Sequence, residues 1–386
     1  MKRIPRKWIL ITAVLLVAVV LLIGQLIEDA DYSRPLSVQI EEGLEPAIER
    51  LMERKQIPGL AIALIREGEV VYIHGFGVRD VSTGVPVTPA TLFHTASVSK
   101  PFVATAVMQL VADGRIRLDT PIAEVLPAFL PQDPRASSIT VAQVLSHTSG
   151  LPDYKMGRVI QEYYAHPSAD PEALQAFVRG LSGIQLLSDP GHSFHYSNLG
   201  YNILGALIET VSGDPFEVYM SEHVLRPAGM ARATFALPGE DQPDRAMPYV
   251  RRHGRLTRSA IYPYHRAQAP NGTLHASAEE LARWLCVMLD RGVTPDGGAL
   301  LPRQVLEEMW IPQRKIGFGK RVGFGWFILQ VGSRRLVSHS GGDVGYTAAI
   351  QFAPERGFGW VILANREYAP LQNISHRVMG MLANTQ

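Results

Sequence analysis

The order of strand-like and helix-like segments is the feature that most restricts the fold of this chain. Short apolar segments typical of strands occur at 60–67 and 69–77, and similar segments return near the other end, at 322–331, 334–340, 346–353 and 358–365. The sequence between them, roughly 115–310, has mostly helical periodicity with Pro- and Gly-rich connections. This order predicts an α+β fold: a mainly antiparallel sheet built from both ends, flanked by helices, with an all-helical lobe from the middle.

The N-terminus has the pattern of a single membrane anchor. Residues 8–27 are almost entirely apolar, and a helix of that length rises about 30 Å, enough to cross a bilayer. Residues 1–7 hold four basic and no acidic side chains, so the positive-inside rule places them in the cytoplasm. A cleaved signal peptide is the alternative, but the apolar run exceeds the usual ~7–15 residues of such a peptide. We therefore expect a cytoplasmic tail at 1–7, a transmembrane signal anchor at 8–27, a linker at 28–36 and one domain at 37–386 in the periplasm or at the cell exterior.

Composition excludes several classes of protein. The chain has 37 basic and 36 acidic side chains, a formal net charge of +1, which predicts no nucleic-acid partner. The single cysteine, Cys286, allows neither an internal disulfide nor a cysteine-based zinc site. His192 and His195 have the H-x-x-H spacing, but no Glu stands between them and Pro190 argues against a helix there, so we expect no metal site.

Ser97 and Lys100 are the first candidate catalytic pair. They open a helical run, and a spacing of three residues places both side chains on one face of a helix. A lysine that loses its proton through desolvation can take the hydroxyl proton of a serine and activate it as a nucleophile. The alternative is that Ser97 caps the helix and Lys100 lies on the surface.

Two further polar patches accompany this pair. Tyr196 and Asn198 point the same way if their segment is extended; the phenol suits proton transfer and the amide suits binding of a substrate carbonyl, although a structural role is also possible. His339 ends a predicted strand and precedes Gly341 and Gly342, which allow a ligand to approach backbone N–H groups closely; a plain hairpin turn is the alternative.

Together, in this order and at these separations, the patches resemble the serine β-lactamase and penicillin-binding-protein-like hydrolases, in particular the branch of class C β-lactamases, D-alanyl-D-alanine carboxypeptidases and esterases. The resemblance covers roughly 34–380. It rests on SVSK at 97–100, VLSHTSGLPDY at 144–154, PGHSFHYSNLGYNILGALIE at 190–209 and HSGG at 339–342.

The resemblance implies a β-lactamase/transpeptidase-like fold and a role for each matching residue. Ser97 would be the acylated nucleophile, Lys100 its proton partner, and Tyr196 the general acid and base. Asn198 would contact the substrate amide, and the backbone N–H groups of Ser97 and Gly342 would form an oxyanion hole. No metal or organic cofactor is implied.

His339 departs from the pattern, since many relatives have the lysine of a K-T-G motif at this position. A histidine with an ordinary pKa of ~6.5 is mostly neutral at pH 7, whereas that lysine is positively charged. The change disfavours tight binding of a β-lactam carboxylate and favours hydrolysis of esters or peptides. We also expect activity to change as His339 titrates near neutral pH, in a way that His339→Lys would remove.

The sequence thus predicts a membrane-anchored extracytoplasmic serine hydrolase that cleaves an ester or amide bond of a small molecule or peptide through an acyl-enzyme on Ser97. One alternative is β-lactamase or D-alanyl-D-alanine carboxypeptidase activity. Another is a non-catalytic ligand sensor or cell-wall binding module, which the retention of Ser97, Lys100 and Tyr196 disfavours.

A basic cluster follows Tyr249 and is not explained by this assignment. It is either a solvated loop or a surface that lines the cleft or meets an anionic lipid or wall polymer. Its members are Arg251, Arg252, His253, Arg255 and Arg258.

Overall fold

The computed structural model describes residues 34–129, 131–239, 244–317, 319–331 and 334–384. The predicted tail at 1–7, the anchor at 8–27 and most of the linker at 28–36 lie outside the described residues. Among the residues that are described, no helix is long and apolar enough to cross a membrane. The chain divides into two compact units, one formed by Met52–Leu371 and the other by the segments up to Leu51 and from Gln372 onward.

The strands of the larger unit belong mainly to one sheet. Within the described residues the strand bounds are β1 (Gly59–Arg66), β2 (Glu69–Asp80), β3 (Val85–Pro86), β4 (Phe93–His94), β5 (Tyr249–Arg252), β6 (Arg255–Arg258), β7 (His275–Ala276), β8 (Arg314–Gly317), β9 (Lys320–Val322), β10 (Phe327–Val331), β11 (Arg334–Asp343), β12 (Tyr346–Ala353) and β13 (Phe358–Ala364). Nine of these strands form an antiparallel sheet in the order β3-β2-β1-β13-β12-β11-β10-β9-β8, and β4–β7 and β5–β6 form two small pairs.

The sheet joins the two ends of the unit, as the sequence predicts. Strands β1 and β13 pair in the middle, with Ile62 opposite Ile362, and both are buried along nearly their whole length, which explains their continuous apolar sequences. Strands β5 and β6, by contrast, occur where the sequence predicts a helical lobe. The two strands of this hairpin are short and polar, so the alternation of apolar and polar residues is too short to indicate strands.

Strand β11 extends past its neighbour β10. The last residue pair between them is Phe327 with Ser338, so residues 339–343 pair with β12 on one edge and leave the other edge uncovered by β10. This open edge of β11 is where the predicted HSGG segment lies.

The helices between the strands are mostly short. Within the described residues their bounds are α1 (Leu36–Gln39), α2 (Glu45–Lys55), α3 (Ser99–Ala112), α4 (Ile122–Val125), α5 (Val141–Leu145), α6 (Met156–Val159), α7 (Ala173–Arg179), α8 (Asn198–Ser212), α9 (Phe216–Tyr219), α10 (Ala269–Gly272), α11 (Ala278–Leu289), α12 (Arg303–Glu308) and α13 (Gln372–Asn384). Three 3-10 turns (Ala96–Val98, Pro134–Ser138 and Arg266–Gln268) and three π-helical turns (Ile40–Leu44, Ile160–Tyr164 and Met220–Leu225) complete the helical segments.

Two of these helices hold the candidate catalytic segments. Helix α3 is apolar on nearly all sides and correspondingly buried, and its Phe102 stacks on Trp284 with 4.1 Å between ring centroids. Helix α8 begins at a cap in which the Ser197 hydroxyl accepts the N–H of Gly200, and it ends at Gly213, whose φ of 84° suits glycine. Burial therefore holds α3 in place, and the Ser197 cap fixes the N-terminal end of α8.

Candidate active site

Ser97 lies in the 3-10 turn that leads directly into α3. The alternative that Ser97 caps this helix is wrong, because the N-cap position is Val98 and no side chain caps it. Ala96 has a φ of 49°, in the left-handed region that residues with a Cβ seldom adopt. Such backbone strain costs about 1–3 kcal/mol and is concentrated at functional sites.

Lys100 is completely buried one helical turn after Ser97. Its Nζ lies 3.1 Å from the Ser97 Oγ and donates a hydrogen bond of 2.7 Å to the backbone carbonyl of Asn271. Burial lowers the pKa of Lys100 to about 7, against the opposing effect of the negative charges of Asp153 and Asp343. A lysine with this pKa is neutral in about half of the molecules at pH 7, and the neutral form can accept a proton from the neighbouring hydroxyl. The alternative of a surface lysine is therefore wrong.

Tyr196 faces Lys100, whose Nζ lies 5.1 Å from the centroid of the tyrosine ring. Burial raises the pKa of Tyr196 well above its ordinary value; a hydrogen bond with the Ser97 side chain opposes this, and the charge of Asp153 adds to it. Tyr196 is therefore a neutral phenol near pH 7, which can donate or relay a proton but does not act as a standing phenolate.

His147 packs against this tyrosine, with 4.4 Å between its ring centroid and that of Tyr196. Burial and the charge of Lys100 keep the pKa of His147 well below its ordinary value. The backbone N–H of Ser197 donates to its Nδ1 at 3.1 Å, so the neutral ring carries its proton on Nε2. His147 thus supports Tyr196 without adding a charge; its signal is the SHTSG sequence inside the segment 144–154.

The open edge of β11 lies against the turn that holds Ser97. A Cβ on Gly341 would stand 2.2 Å from the carbonyl oxygen of Thr95 and 2.9 Å from the backbone nitrogen of Ser97, so only glycine permits this approach. Gly342 follows, has open space around it, and lines the same cavity as Ser97. The structure therefore brings together the two residues whose N–H groups are the predicted oxyanion donors.

His339 lies in the site, but its predicted titration near neutral pH is wrong. Burial and the charge of Lys100 lower the pKa of His339 to about 3, although its hydrogen bond to Ser340 opposes this. Nδ1 lies 2.9 Å from the carbonyl oxygen of Ser340 and therefore carries the proton of the neutral ring. Nε2 is buried without a partner among the described residues. Lys100, with its pKa of about 7, is a group of the site that titrates near neutral pH.

Asn198 is held by Asp153, a residue that the analysis of the sequence did not single out. The backbone N–H and the Nδ2 of Asn198 both donate to the Asp153 carboxylate, at 3.1 and 2.9 Å. Burial raises the pKa of Asp153, and these hydrogen bonds oppose the rise. Because Nδ2 is engaged in this way, the side-chain Oδ1 of Asn198, which has no partner among the described residues, is the atom left to accept an N–H from a substrate.

A cavity of about 60 Å³ lies beside Ser97 and is lined by Asn198, Asp153 and Gly342 among others. On one side Gln268 Oε1 accepts hydrogen bonds from Nδ2 of Asn202 (3.2 Å) and of Asn271 (2.8 Å), and this network fixes the residue whose carbonyl holds Lys100. Among the described residues that line the cavity none is Lys, Arg or His, whereas Asp153 and Asp343 both line it. The cavity next to Ser97 is therefore unfavourable for an anionic group.

Asp343 ends strand β11, one residue beyond Gly342. Its Oδ2 accepts a hydrogen bond of 2.7 Å from the Tyr164 hydroxyl and lies 3.2 Å from Nε2 of His94. These contacts tie the end of β11 to neighbouring segments and so hold the backbone of Gly342 in place.

Replacing Asp153 with asparagine should shift the acid limb of the pH–rate profile to lower pH. The negative charge of Asp153 raises the pKa of Lys100, so its removal lets Lys100 lose its proton at lower pH. The rate of ester hydrolysis between pH 5 and 9 measures this shift. Asp119→Asn, at an exposed position just beyond the far end of α3, is the control and should leave the midpoint in place; equal shifts in both variants would contradict the assignment.

Comparisons with known proteins agree with this geometry. A family model described as Beta-lactamase matches residues 44–379. Protein flp of Staphylococcus aureus (strain MW2) is 27% identical over 335 residues, which cover 86% of this chain and 64% of that protein, so the chain spans less than two thirds of that relative's length. Penicillin-binding protein 4 of Amycolatopsis lactamdurans is 28% identical over 351 residues, covering 87% of this chain and 88% of that protein.

Solved structures are similar as well. The octameric penicillin-binding protein homologue from Pyrococcus abyssi has a TM-score of 0.78 and 30% identity, covering 89% of this chain and 77% of that one. The penicillin binding protein from Bacillus halodurans, at 24% identity and a TM-score of 0.71, shares the fold. The predicted resemblance and the β-lactamase/transpeptidase-like fold are thus confirmed, and the chain belongs to the β-lactamase family of serine β-lactamases and penicillin-binding-protein-like proteins.

Proposed function

We propose that this protein is a serine hydrolase that cleaves an ester or amide bond through an acyl-enzyme on Ser97. The observation that carries the proposal is the distance of 3.1 Å between Lys100 Nζ and Ser97 Oγ, combined with a Lys100 pKa of about 7. Neutral Lys100 takes the hydroxyl proton as Oγ attacks the carbonyl carbon of the substrate. The N–H groups of Ser97 and Gly342 stabilise the negative charge that develops on the carbonyl oxygen.

The remaining steps need only proton transfers among the same groups. As the tetrahedral intermediate collapses, the bond to the leaving group breaks and the proton held by Lys100 passes to that group, directly or through the Tyr196 hydroxyl. Water then attacks the ester on Ser97 and gives up its proton to the same pair. The acid product leaves, and Ser97 regains its hydroxyl proton.

A substrate without a carboxylate beside the scissile bond fits the site best. Asp153 and Asp343 line the cavity and His339 is neutral, so the described residues of the pocket offer an anion no fixed positive charge. The second candidate, β-lactamase or D-alanyl-D-alanine carboxypeptidase activity, draws support from the similarity to penicillin-binding proteins. It requires the site to hold such a carboxylate, and we therefore rank it below ester or amide hydrolysis.

Nitrocefin should accordingly be a poor substrate. We expect its kcat/KM to be about 100-fold or more below that of a neutral p-nitrophenyl ester, because like charges brought together at a binding site cost several kcal/mol. Absorbance assays with both substrates measure the ratio. Nitrocefin turnover equal to or faster than ester turnover would instead favour the β-lactamase assignment.

The proposal includes the location of the enzyme. The apolar segment 8–27 and the basic residues before it support a single N-terminal anchor with the catalytic domain outside the cytoplasm. Protease protection of a C-terminal tag in intact cells and in spheroplasts tests this orientation.

Intact-mass analysis of the full-length protein after incubation with a fluorophosphonate tests the catalytic proposal directly. We expect one adduct, located on Ser97 by peptide mapping, together with turnover of a p-nitrophenyl ester. A folded protein without a fluorophosphonate adduct would favour the non-catalytic binding module. So would a protein that the p-nitrophenyl ester acylates once on Ser97 without further turnover.

A further inference from the structure

The basic cluster forms the tip of the β5–β6 hairpin. The two residues of its turn, His253 and Gly254, have φ values of 49° and 80°, which is the pattern of a tight two-residue hairpin turn. Such a turn fixes the register, and Arg252 consequently stands directly opposite Arg255. Both side chains are exposed.

The pairing of Arg252 with Arg255 lowers the stability of the hairpin. Like charges directly opposite each other on neighbouring strands are destabilising. Within the described residues, no carboxylate lies at ion-pairing distance from Arg252 or Arg255. Nearer the base of the hairpin, the backbone N–H of Arg251 donates to the Glu367 carboxylate at 3.2 Å and Arg258 lies 3.6 Å from Asp80. The arginine pair at the tip therefore lacks the counter-charge that an anionic ligand would supply.

The base of the hairpin is attached next to the active site. Pro248, which precedes β5, packs so closely on Gly345 that a Cβ there would lie 2.2 Å from the Pro248 Cβ, and Gly345 is three residues beyond Gly342. Val250 belongs to a small apolar cluster with Val159, Tyr164 and Val344. Val159 and Tyr164 also line the cavity that contains Ser97.

The pleat of the hairpin sets the direction of the arginine pair. Successive side chains of a strand point to opposite faces, so Arg252 shares a face with Val250, and its partner Arg255 lies on that same face. This is the face that packs on the wall of the cavity. Neither Arg252 nor Arg255 is among the described residues that line the cavity, so the pair lies outside it.

We propose that Arg252 and Arg255 form a subsite for the anionic groups of an extended, polyanionic substrate whose scissile bond reaches Ser97. This inference rests on the proposed function. It separates two regions of charge. The cavity with Asp153 and Asp343 disfavours a carboxylate or phosphate of the substrate beside the scissile bond, while the arginine pair binds anionic groups of the same substrate farther out. The ligand chemistry is a polymer that carries phosphate or carboxylate groups at regular spacing.

Binding of fluorescently labelled inorganic polyphosphate to the purified full-length protein tests the subsite. We expect Arg252→Glu/Arg255→Glu to weaken binding about tenfold or more, and the binding of the wild type to weaken steeply with added NaCl. Arg115→Glu/Arg117→Glu is the control for net charge, because it reverses the same number of exposed charges beyond the far end of α3, about 20 Å from Ser97. Since Arg117 pairs with Asp119 at 2.8 Å, the Tm of this control is measured together with its binding.

A single substitution separates binding from folding. Arg255→Glu places a carboxylate opposite Arg252, so the Tm should stay equal or rise, while polyphosphate binding should fall about threefold or more. A loss of Tm that accompanies the loss of binding would overturn the inference. So would an equal loss of binding in the control at Arg115 and Arg117.

Two further arms define the ligand and keep this inference separate from the proposed function. Phosphatidylglycerol vesicles and neutral phosphatidylcholine vesicles are tested beside polyphosphate; binding to phosphatidylglycerol without binding to polyphosphate would overturn the inference in favour of a lipid surface. Fluorophosphonate labelling of the wild type is measured on the same sample. Labelling without polyphosphate binding rejects the subsite alone, and polyphosphate binding without labelling rejects the proposed function, on which the subsite rests.

Discussion

Replacing Lys100 with methionine is expected to lower the nucleophilic reactivity of Ser97 by about 1,000-fold. A general base contributes about 10²- to 10⁴-fold, and the described site offers Ser97 no other basic nitrogen within hydrogen-bonding distance. Methionine is unbranched and apolar and fills a buried space of similar length. The rate of fluorophosphonate labelling measures the effect, with Ser97→Ala as the variant that cannot be labelled at this position.

The pH dependence distinguishes a base from a residue that only fills space. The labelling rate of the wild type should rise through about pH 7, because Lys100 becomes neutral there. Lys100→Met should lose this rise and remain slow throughout. A variant that keeps the rise would show that another group is the base.

Stability provides a second readout with a defined sign. The folded state lowers the pKa of Lys100 to about 7, so between that pH and about 10.4, the ordinary lysine pKa, the unfolded chain binds more protons than the folded one. This contribution makes the wild type more stable as pH rises, by about 1.4 kcal/mol per unit at most. Urea unfolding should therefore show a larger gain in the free energy of unfolding between pH 7 and pH 9 for the wild type than for Lys100→Met. Lys155→Met, at an exposed position, should not change the wild-type trend.

The sheet was predictable because its signals are local. Strands β1, β12 and β13 are continuous runs of apolar or alternating residues, and their length and flanking glycines distinguish them from helices. The pair Ser97 and Lys100 was predictable for the same reason, since a separation of three residues defines one face of a helical turn. The sequence did not predict the hairpin of β5 and β6, because its strands are short and rich in charged residues. The hairpin depends on a two-residue turn and on the packing of Val250 against residues distant in sequence.

The electrostatics of the site depend on contacts that no local pattern contains. His339 has an ordinary sequence environment, but it is buried with its ring centroid 5.2 Å from that of Phe327, and it lies near the charge of Lys100. Burial therefore keeps His339 neutral near pH 7, where the sequence predicts that it titrates. Asp153 acquires its role only because α8 places Asn198 against it across 45 residues of sequence.

Adding one methyl group at Gly341 should damage the site as severely as removing a catalytic side chain. In Gly341→Ala the new Cβ would stand 2.2 Å from the Thr95 carbonyl oxygen, which is backbone and cannot turn aside. Strand β11 must then move away from the Ser97 turn and carry the N–H of Gly342 with it. Loss of one oxyanion donor costs about 10²- to 10³-fold in kcat, and the overpacking costs about 1–3 kcal/mol of unfolding free energy.

Gly342→Ala is the matched comparison, because it adds the same methyl group one residue later on the same strand, where no atom lies within 4 Å of the new Cβ. We expect its kcat to fall less than about tenfold, since the N–H of residue 342 is retained and β11 need not move. Ester hydrolysis and urea unfolding of both variants give the two quantities. Equal activity of Gly341→Ala and the wild type would mean that the close approach of β11 to Ser97 does not build the oxyanion site. A large loss in Gly342→Ala alone would instead indicate that the substrate occupies the open space beside that residue, and that the side of the cleft next to β11 selects substrates by size.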